Sequence, residues 1–405
     1  MPTKTVPTPP TAAVSPQLRR SRFAVSGVFA AVGFVMATWL VNIPAVQARA
    51  GISHATLGFL LLMLGAGGVL AMQVCGVLSA RFGSRAVLLG AFALDVVAIN
   101  LPAHAPNTIA LGIAMFLFGV GNGSADVSMN DQAVLVERRY PRPIMSAFHA
   151  MWSIGGAAGA LTGAAVQRMQ FDVGWSILTG SVIGAVLGAI AIPLLPRRPR
   201  TDTATPAETT DTTSVPAVWR LSNRERTQKI IIFGLLAFLL MLSEGVVSDW
   251  SALHAIEHLG QTESAASLAY GFFAVAMTVA RLSVDRVAHR FGPVFVVRFG
   301  SLTAAVGVAL VIVSPTYPVT LLGWVIFGIG LAGVVPQLFT AAGNLDPGHS
   351  SVTLSRVVGI GYTGILAGPA IIGALAGPMG LNQTFILPVV FCLLGVILSG
   401  RLRNS

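Results

Sequence analysis

Two acidic residues lie inside long apolar stretches of the sequence, and their positions predict proton chemistry. Asp126 stands between Asn122 and Asn130 at intervals of four residues, so a helix would place all three on one face. Glu244 is enclosed by leucine, methionine and valine residues. An isolated carboxylate in apolar surroundings is costly, so such a group is a candidate for binding and releasing a proton. We predict that both acids couple protons; the alternative is a hydrogen-bonded structural role between helices.

Polar and aromatic side chains in further apolar stretches complete the predicted binding set. Tryptophan rings pack on flat solutes, and amides both donate and accept hydrogen bonds. The predicted substrate contacts are Trp39, Asn42, Asn122, Asp126, Asn130, His149, Trp152, Glu244, Trp250 and Gln337. Trp39 has an alternative role at the membrane–water interface. For His149 a packed, hydrogen-bonding role is favoured. Asp95, in the third apolar stretch, is expected to pair with a neighbouring helix.

Charged residues near the ends of apolar stretches are predicted to act in gating or in structure. They are Arg81, Arg85, Arg281, Asp285, Arg286 and Asp249. Arg281 precedes Asp285 by four residues, so both share a helix face and we expect a salt bridge between them. Asp249 would be a gate or a solvated helix end.

The sequence lacks the patterns on which catalysis or cofactor binding usually depends. It contains no nucleophile spaced from a base, no metal-ligand cluster and no phosphate-binding loop. Cys75 and Cys392 both lie in apolar runs, which argues against a disulfide framework and against a metal site. We therefore predict a protein that is not an enzyme and that holds no metal and no cofactor.

Membrane helices are the elements that must position these residues. Of the 405 residues, 54% are hydrophobic and 10% are charged, whereas soluble domains carry about 25% charged residues. A bilayer-spanning helix takes about 20 mainly apolar residues. Twelve stretches qualify, near residues 23–45, 55–79, 86–103, 107–130, 144–166, 174–195, 229–252, 265–287, 293–313, 318–342, 352–374 and 382–400.

The basic residues predict the orientation of these helices. They form no continuous stripe, so the net charge of +10 does not indicate a nucleic-acid partner. With the N-terminus inside, nearly all of them fall in cytoplasmic segments, and the outer side keeps Arg49 and Arg168. We expect a multi-pass inner-membrane protein with both termini in the cytoplasm. Its predicted parts are a disordered tail at 1–22, helical bundles at 23–195 and 229–400, a linker at 196–228 and a tail at 401–405.

The two sets of six helices repeat one another at a shift of 209 residues. The matching pairs are Arg81-Phe82-Gly83 with Arg290-Phe291-Gly292, Phe118-Gly119-Val120-Gly121 with Phe327-Gly328-Ile329-Gly330, and Gly155 and Gly159 with Gly364 and Gly368. An even number of helices per repeat gives the halves parallel topology. The predicted fold is an all-α membrane protein with twelve transmembrane helices in two pseudo-symmetric six-helix bundles.

This pattern resembles the major facilitator superfamily (MFS). The loop motif Gly-x-x-x-Asp-Arg-x-Gly of that family appears as Gly76–Gly83, with Ala80 in place of the acid, and again as Arg281–Arg286. The segments Asp126–Asn130, Phe148–Ser153 and Glu244–Ser251 resemble a bacterial YbjJ/MosC-like subgroup that is distantly similar to fucose/proton symporters. The resemblance implies a monomer whose site is lined by helices 1, 4, 7 and 10.

The resulting hypothesis is a secondary transporter of a small polar, sugar-like solute, working by alternating access with proton coupling. Its expected partners are the small-molecule substrate, the lipid bilayer and protons, and no nucleic acid. A metabolite or drug exporter of the same fold is the alternative within this class. A non-transporting membrane sensor and a membrane enzyme are the alternatives from other classes.

Overall fold

The computed structural model describes residues 14–197, 222–346 and 349–404, and this part of the chain forms twelve long helices and no strand. The helices are α1 (Pro16–Ala50), α2 (His54–Phe82), α3 (Ser84–Ala98), α4 (Thr108–Glu137), α5 (Met145–Arg168), α6 (Val173–Ala191), α7 (Asn223–Leu259), α8 (Glu263–Phe291), α9 (Pro293–Val313), α10 (Tyr317–Leu331 and Val334–Asn344), α11 (Ser350–Met379) and α12 (Leu381–Thr384 and Ile386–Leu398). Short 3-10 turns occupy Pro102–His104, Ile192–Leu194 and Ser399–Asn404.

Eleven of these twelve helices are both long and apolar enough to cross a membrane. The exception is α5, whose 24 residues give it a length of about 36 Å, which is sufficient for a crossing. Its lower hydropathy follows from a composition rich in glycine, alanine and polar residues. The predicted twelve-helix, all-α architecture is confirmed.

Two helices begin earlier than the sequence predicted. Helix α1 begins at Pro16 rather than at 23, because Ser15 caps it and proline suits the first helical position. Helix α7 begins at Asn223 rather than at 229, where Ser222 and Glu225 form a capping box. The rest of the predicted tail and linker, residues 1–13 and 198–221, lies outside the described residues.

Proline explains the interruptions in α10 and α12. A proline cannot donate to the carbonyl four residues earlier, and its ring clashes with that carbonyl. Pro336 stands four residues after Ala332, where the first segment of α10 ends. Pro388 stands four residues after Thr384, where the first segment of α12 ends. In contrast, α1 continues through Pro44.

Glycines at equivalent positions bring the helices of each half into backbone contact. Gly119 of α4 packs against the Leu64 carbonyl of α2, and Gly328 of α10 packs against the Phe273 carbonyl of α8. Both residues of the second pair follow those of the first by 209 positions (328 − 119 and 273 − 64). The shift read from the sequence is therefore a three-dimensional repeat, built on the close approach that small residues allow.

The two halves meet mainly where α2 packs against α11 and α5 packs against α8. Successive helices run antiparallel, so both chain ends and the loops after the even-numbered helices lie at one face of the bundle, which we name the terminal face. The loops after odd-numbered helices lie at the opposite face.

Candidate functional site

A buried ion pair lies near the middle of α7 and α8. Arg281 Nη2 is 3.7 Å from Glu244 Oε1, and Arg281 Nη1 donates to Ser153 Oγ at 2.8 Å. Because Ser153 belongs to α5, the arginine links the two halves. The predicted salt bridge between Arg281 and Asp285 is wrong. Both side chains point from α8 toward α5, but Asp285 bonds to the α5 backbone one turn nearer the terminal face.

A second polar contact between the halves joins Asp126 of α4 to Tyr362 of α11. The Tyr362 hydroxyl lies close enough to the Asp126 carboxyl for the two to interact. Tyr362 also lies within electrostatic reach of Glu244 and Arg281. The structure thus brings the two acids predicted to couple protons into one group with an arginine and a tyrosine. We name Asp126, Glu244, Arg281 and Tyr362 the central cluster.

His149 lies beside the central cluster. The His149 ring packs between Phe29 of α1 and Phe339 of α10, with ring centroids 5.3 and 5.9 Å away. It also interacts electrostatically with Arg281. Gln337 precedes Phe339 by two residues and is buried. Seven helices therefore contribute side chains to this region: α1, α4, α5, α7, α8, α10 and α11.

Several buried polar atoms here have no hydrogen-bond partner among the described residues. They are Asp126 Oδ2, His149 Nε2 and Arg281 Nε, and a further such atom, Gln337 Nε2, lies in α10. A buried polar atom left without a partner costs about 1–3 kcal/mol, so a native protein keeps such atoms chiefly where they have a role. Both donors and acceptors are present, which suits a ligand that carries hydroxyl groups.

Exposure rises from the central cluster toward the opposite face. The side chain of Arg281 is 8% exposed and that of Glu244 is 27% exposed. Tyr270 is 45% exposed and interacts with Ser248 and Asp249, which are both exposed. Since α7 runs from the terminal face to the opposite face, these residues form a polar path that leads outward from Glu244.

The two candidates in α1 are held within the first half of the protein. Asn42 Nδ2 donates to the Thr38 carbonyl at 2.8 Å, and Asn42 Oδ1 accepts from Gln167 Nε2 of α5 at 3.0 Å. Trp39 is 1% exposed and packs edge-on against Phe118 of α4. The geometry therefore favours a structural role for Asn42, and it places Trp39 in the core rather than at a membrane–water interface.

The predicted polar stripe on α4 divides among different neighbours. Asn122 approaches the buried Asp95 of α3, but neither Asp95 oxygen has a hydrogen-bond partner among the described residues, so the pairing expected for that acid stays a prediction. Asn130 donates to the Asp126 carbonyl at 2.9 Å, within α4. Of the three residues in the stripe, Asp126 is the one that reaches the central cluster.

Trp152 and Trp250 are positioned by glycines on adjacent helices. The Trp152 backbone packs against Gly33 of α1, and the Trp250 ring lies beside Gly373 of α11. Both tryptophans are half-buried. Their contact with a substrate stays a prediction.

Two carboxylates bind the N-terminus of α5. The first N–H groups of a helix have no acceptor within the helix, and Ile144, which precedes α5, has no polar side chain to supply one. Glu137 Oε1 accepts the N–H groups of residues 144 and 145 at 2.8 and 2.9 Å. The two oxygens of Asp285 accept those of residues 146 and 147 at 3.0 and 2.8 Å. One acid comes from each half, so the start of α5 is a contact between the halves.

Further side-chain bonds hold α4 to the second half at the terminal face. Arg138 Nε donates to Asn344 Oδ1 at 2.6 Å, and Arg138 Nη2 donates to Ser350 Oγ at 3.1 Å. The Ser351 hydroxyl donates to Asp131 Oδ2 at 2.8 Å. Together with the capped start of α5, these bonds join the halves at this face.

The two copies of the loop motif are not structurally equivalent. At the shift of 209, Asp285 corresponds to Gly76 rather than to Ala80 (285 − 209 = 76). Gly76 faces Ser355 of α11, and Asp285 faces Ser146 of α5, which again differ by 209. Gly76 leaves room for α11 to pack close to α2, whereas Asp285 accepts hydrogen bonds from the start of α5.

The remaining predicted gating arginines, Arg81, Arg85 and Arg286, lie in the parts of α2, α3 and α8 that are nearest the terminal face. Arg81 is exposed and lies over the ring of its neighbour Phe82. Arg85 donates to the Leu195 carbonyl at 3.3 Å, which ties α3 to the end of α6. Arg286 is exposed.

Sequence reasoning missed several residues of these networks. They are Tyr270, Tyr362, Asp131, Glu137 and Arg138. Asp131 adjoins the predicted stripe, and Glu137 precedes an uncapped helix start by seven residues, so both left a detectable signal. The tyrosines left none, because a tyrosine in a glycine-rich helix is equally typical of packing.

The fold and the central cluster between two repeated halves define the architecture of a secondary transporter. The family model of the Major Facilitator Superfamily matches residues 26–349 and 233–404. The chain belongs to this superfamily and is a multi-pass membrane transporter.

Relatives and solved structures agree with this assignment. An uncharacterized MFS-type transporter of Yersinia pestis is 36% identical, over 92% of this chain and 93% of its own length. Membrane protein MosC of Rhizobium meliloti is 32% identical, over 93% and 88% of the two chains. The crystal structure of the E. coli fucose:proton symporter FucP has a TM-score of 0.75, with 13% identity over 95% of this chain and 98% of that one.

Proposed function

We propose that this transporter moves a small polar, sugar-like solute together with protons across a bacterial inner membrane, with both termini in the cytoplasm. The excess of arginine in the loops at the terminal face supports this orientation. The terminal face is then cytoplasmic. The bonds of Glu137, Arg138 and Asp285 close that side, and the polar path past Tyr270 leads to the exterior.

The observation that carries the proposal is the pair formed by Glu244 and Arg281, with the arginine bound to Ser153 of the other half. Protonation of Glu244 removes the charge that holds Arg281. Leaving a buried charge without its partner costs about 3–5 kcal/mol, so the arginine must find another acceptor. Asp126 and a bound substrate are the acceptors within this region. Proton binding would thereby change a contact between the halves, which is the coupling that alternating access requires.

The chemistry of the unpartnered atoms supports a hydroxyl-rich, uncharged substrate. Arg281 Nε and Gln337 Nε2 offer donors, Asp126 Oδ2 offers an acceptor, and the rings around His149 offer apolar faces. A sugar-like ring presents hydroxyl groups at its edge and C–H groups on its faces. The fucose:proton symporter among the structural neighbours has the same fold and supports this choice of class.

Binding by the purified protein tests the substrate class. We expect a sugar or polyol to raise the thermal unfolding midpoint of the wild type, and to lose this effect in Asp126→Ala and Glu244→Ala. Glu257→Ala, an exposed acid further along α7, is the control that should keep the effect. Stabilisation by apolar drugs alone would refute the polar-solute proposal. Stabilisation by a sugar that survives both substitutions would move the site elsewhere.

A further inference from the structure

Two adjoining depressions lie at the terminal face, beside α1 and the end of α6. The first has a volume of about 590 Å³ and runs between the two helices, where Phe23 is 74% and Ile190 is 63% exposed. The second has a volume of about 740 Å³ and continues from it toward the loop after α4. They share Arg20 and Leu194. We name the first the α1–α6 groove and the second the arginine pocket.

The sequence explains the shape of the α1–α6 groove. A Cβ atom on Gly27 would lie 3.1 Å from the Ala191 Cβ, so the two helices pack closely at this small pair. Ala24 adds a third small residue to the lining. The large side chains Phe23 and Ile190 stand on either side. The result is an apolar channel between α1 and α6 at the surface of the helix bundle.

Positive charge is concentrated around both depressions. Their linings include four arginines, Arg19, Arg20, Arg139 and Arg197, and no aspartate or glutamate. All four are exposed. Arg19 uses Nε to bond the Val14 carbonyl, whereas Arg20, Arg139 and Arg197 make no hydrogen bond or ion pair within the described part of the chain. Three unpaired guanidinium groups thus surround one polar pocket.

We propose that this site binds an anionic phospholipid, with the phosphate of the headgroup in the arginine pocket and an acyl chain in the α1–α6 groove. Charge complementarity selects the headgroup, because the planar guanidinium matches phosphate oxygens with two hydrogen bonds. Basic pockets between membrane helices bind anionic lipid headgroups in this way. The adjoining apolar groove at membrane depth selects a ligand with a hydrocarbon tail over a free phosphate ester.

Lipid titration of the purified full-length protein tests the proposal, with native mass spectrometry as the readout. We expect phosphatidylglycerol to bind more tightly than phosphatidylcholine. Each arginine near an anionic surface contributes about 1 kcal/mol, or about fivefold in affinity. Replacing Arg20, Arg139 and Arg197 together by Gln should therefore weaken phosphatidylglycerol binding about 100-fold. Arg290→Gln removes an equal charge at the same face, outside both depressions, and should leave binding unchanged.

Four results would overturn the proposal. The first is equal binding of the two lipids, and the second is unaltered phosphatidylglycerol binding by the triple variant. The third is equally tight binding of glycerophosphoglycerol, the headgroup without acyl chains, which would make this a free phosphate-ester site. The fourth is lipid binding that emerges only after Asp202, Glu208 and Asp211 are neutralised, which would make the segment 198–221 the occupant. Should the triple variant unfold, the three single variants test the same claim at about fivefold each.

Discussion

Asp285→Asn should open the terminal face. The Asp285 carboxylate accepts two N–H groups at the start of α5, at 3.0 and 2.8 Å, and it does so only while the halves are joined there. Hydrogen bonds to a charged group contribute about 1.5–3 kcal/mol each, whereas neutral ones contribute about 1 kcal/mol. Asparagine keeps one neutral acceptor and turns an N–H donor toward another donor. The closed state should therefore lose at least about 2 kcal/mol.

A loss of about 2 kcal/mol changes the equilibrium between the closed and open states about 30-fold. If about 1% of wild-type molecules are open at the terminal face, about a quarter of Asp285→Asn molecules would be open. Spin labels on Arg81→Cys and Arg290→Cys, exposed positions in opposite halves, report this opening as a longer distance. The native Cys75 and Cys392 are buried and should escape labelling.

The control for this experiment is Arg286→Gln, which changes the charge of the adjacent, exposed residue. Its distance distribution should match that of the wild type. An unchanged distribution in Asp285→Asn would refute the reasoning, since the two bonds would then not hold the halves together. An equal change in both variants, which alter the charge in opposite directions, would show that the opening does not depend on the capped helix.

Two further outcomes follow from the packing and the bonded state of individual residues. Gly121→Ala should lower the free energy of unfolding by about 1–3 kcal/mol, because its Cβ would lie 2.6 Å from the Asp95 backbone nitrogen. Thermal unfolding measures this loss. The control is Gly90→Ala, where a Cβ meets no atom within 4 Å, and it should show no loss. Asn42→Ala should cost about 1 kcal/mol of stability and leave substrate binding intact. Gln337→Ala should instead weaken substrate binding. Calorimetric titration with the substrate distinguishes the two variants.

The fold was predictable from the sequence because its signals are local. Apolar length defines the helices, and the shift of 209 residues between Arg81-Phe82-Gly83 and Arg290-Phe291-Gly292 defines the two halves. Helix starts were harder to predict, since a cap such as Ser222 with Glu225 lies in polar sequence that resembles a linker. Proline alone does not predict a break, because α10 is interrupted before Pro336 whereas α1 continues through Pro44.

The site was predictable only in part, because spacing along one helix does not identify the partner on another. The interval from Arg281 to Asp285 correctly placed both on one face of α8. It could not show that α5 offers Ser153 to the first and free N–H groups to the second. Tyr362 joins the cluster only through the packing of α11 against the first half, which no pattern within α11 encodes.

The central claim is that Glu244 couples proton movement to transport, and its most direct test compares accumulation with exchange in proteoliposomes. The wild type should concentrate the substrate when the exterior is acidic, and it should exchange internal for external substrate without a pH gradient. Glu244→Gln should keep exchange and lose accumulation, because the neutral side chain mimics the protonated state permanently. Glu257→Gln, the same change at an exposed position of α7, should keep both. Accumulation by Glu244→Gln at the wild-type level would contradict the account.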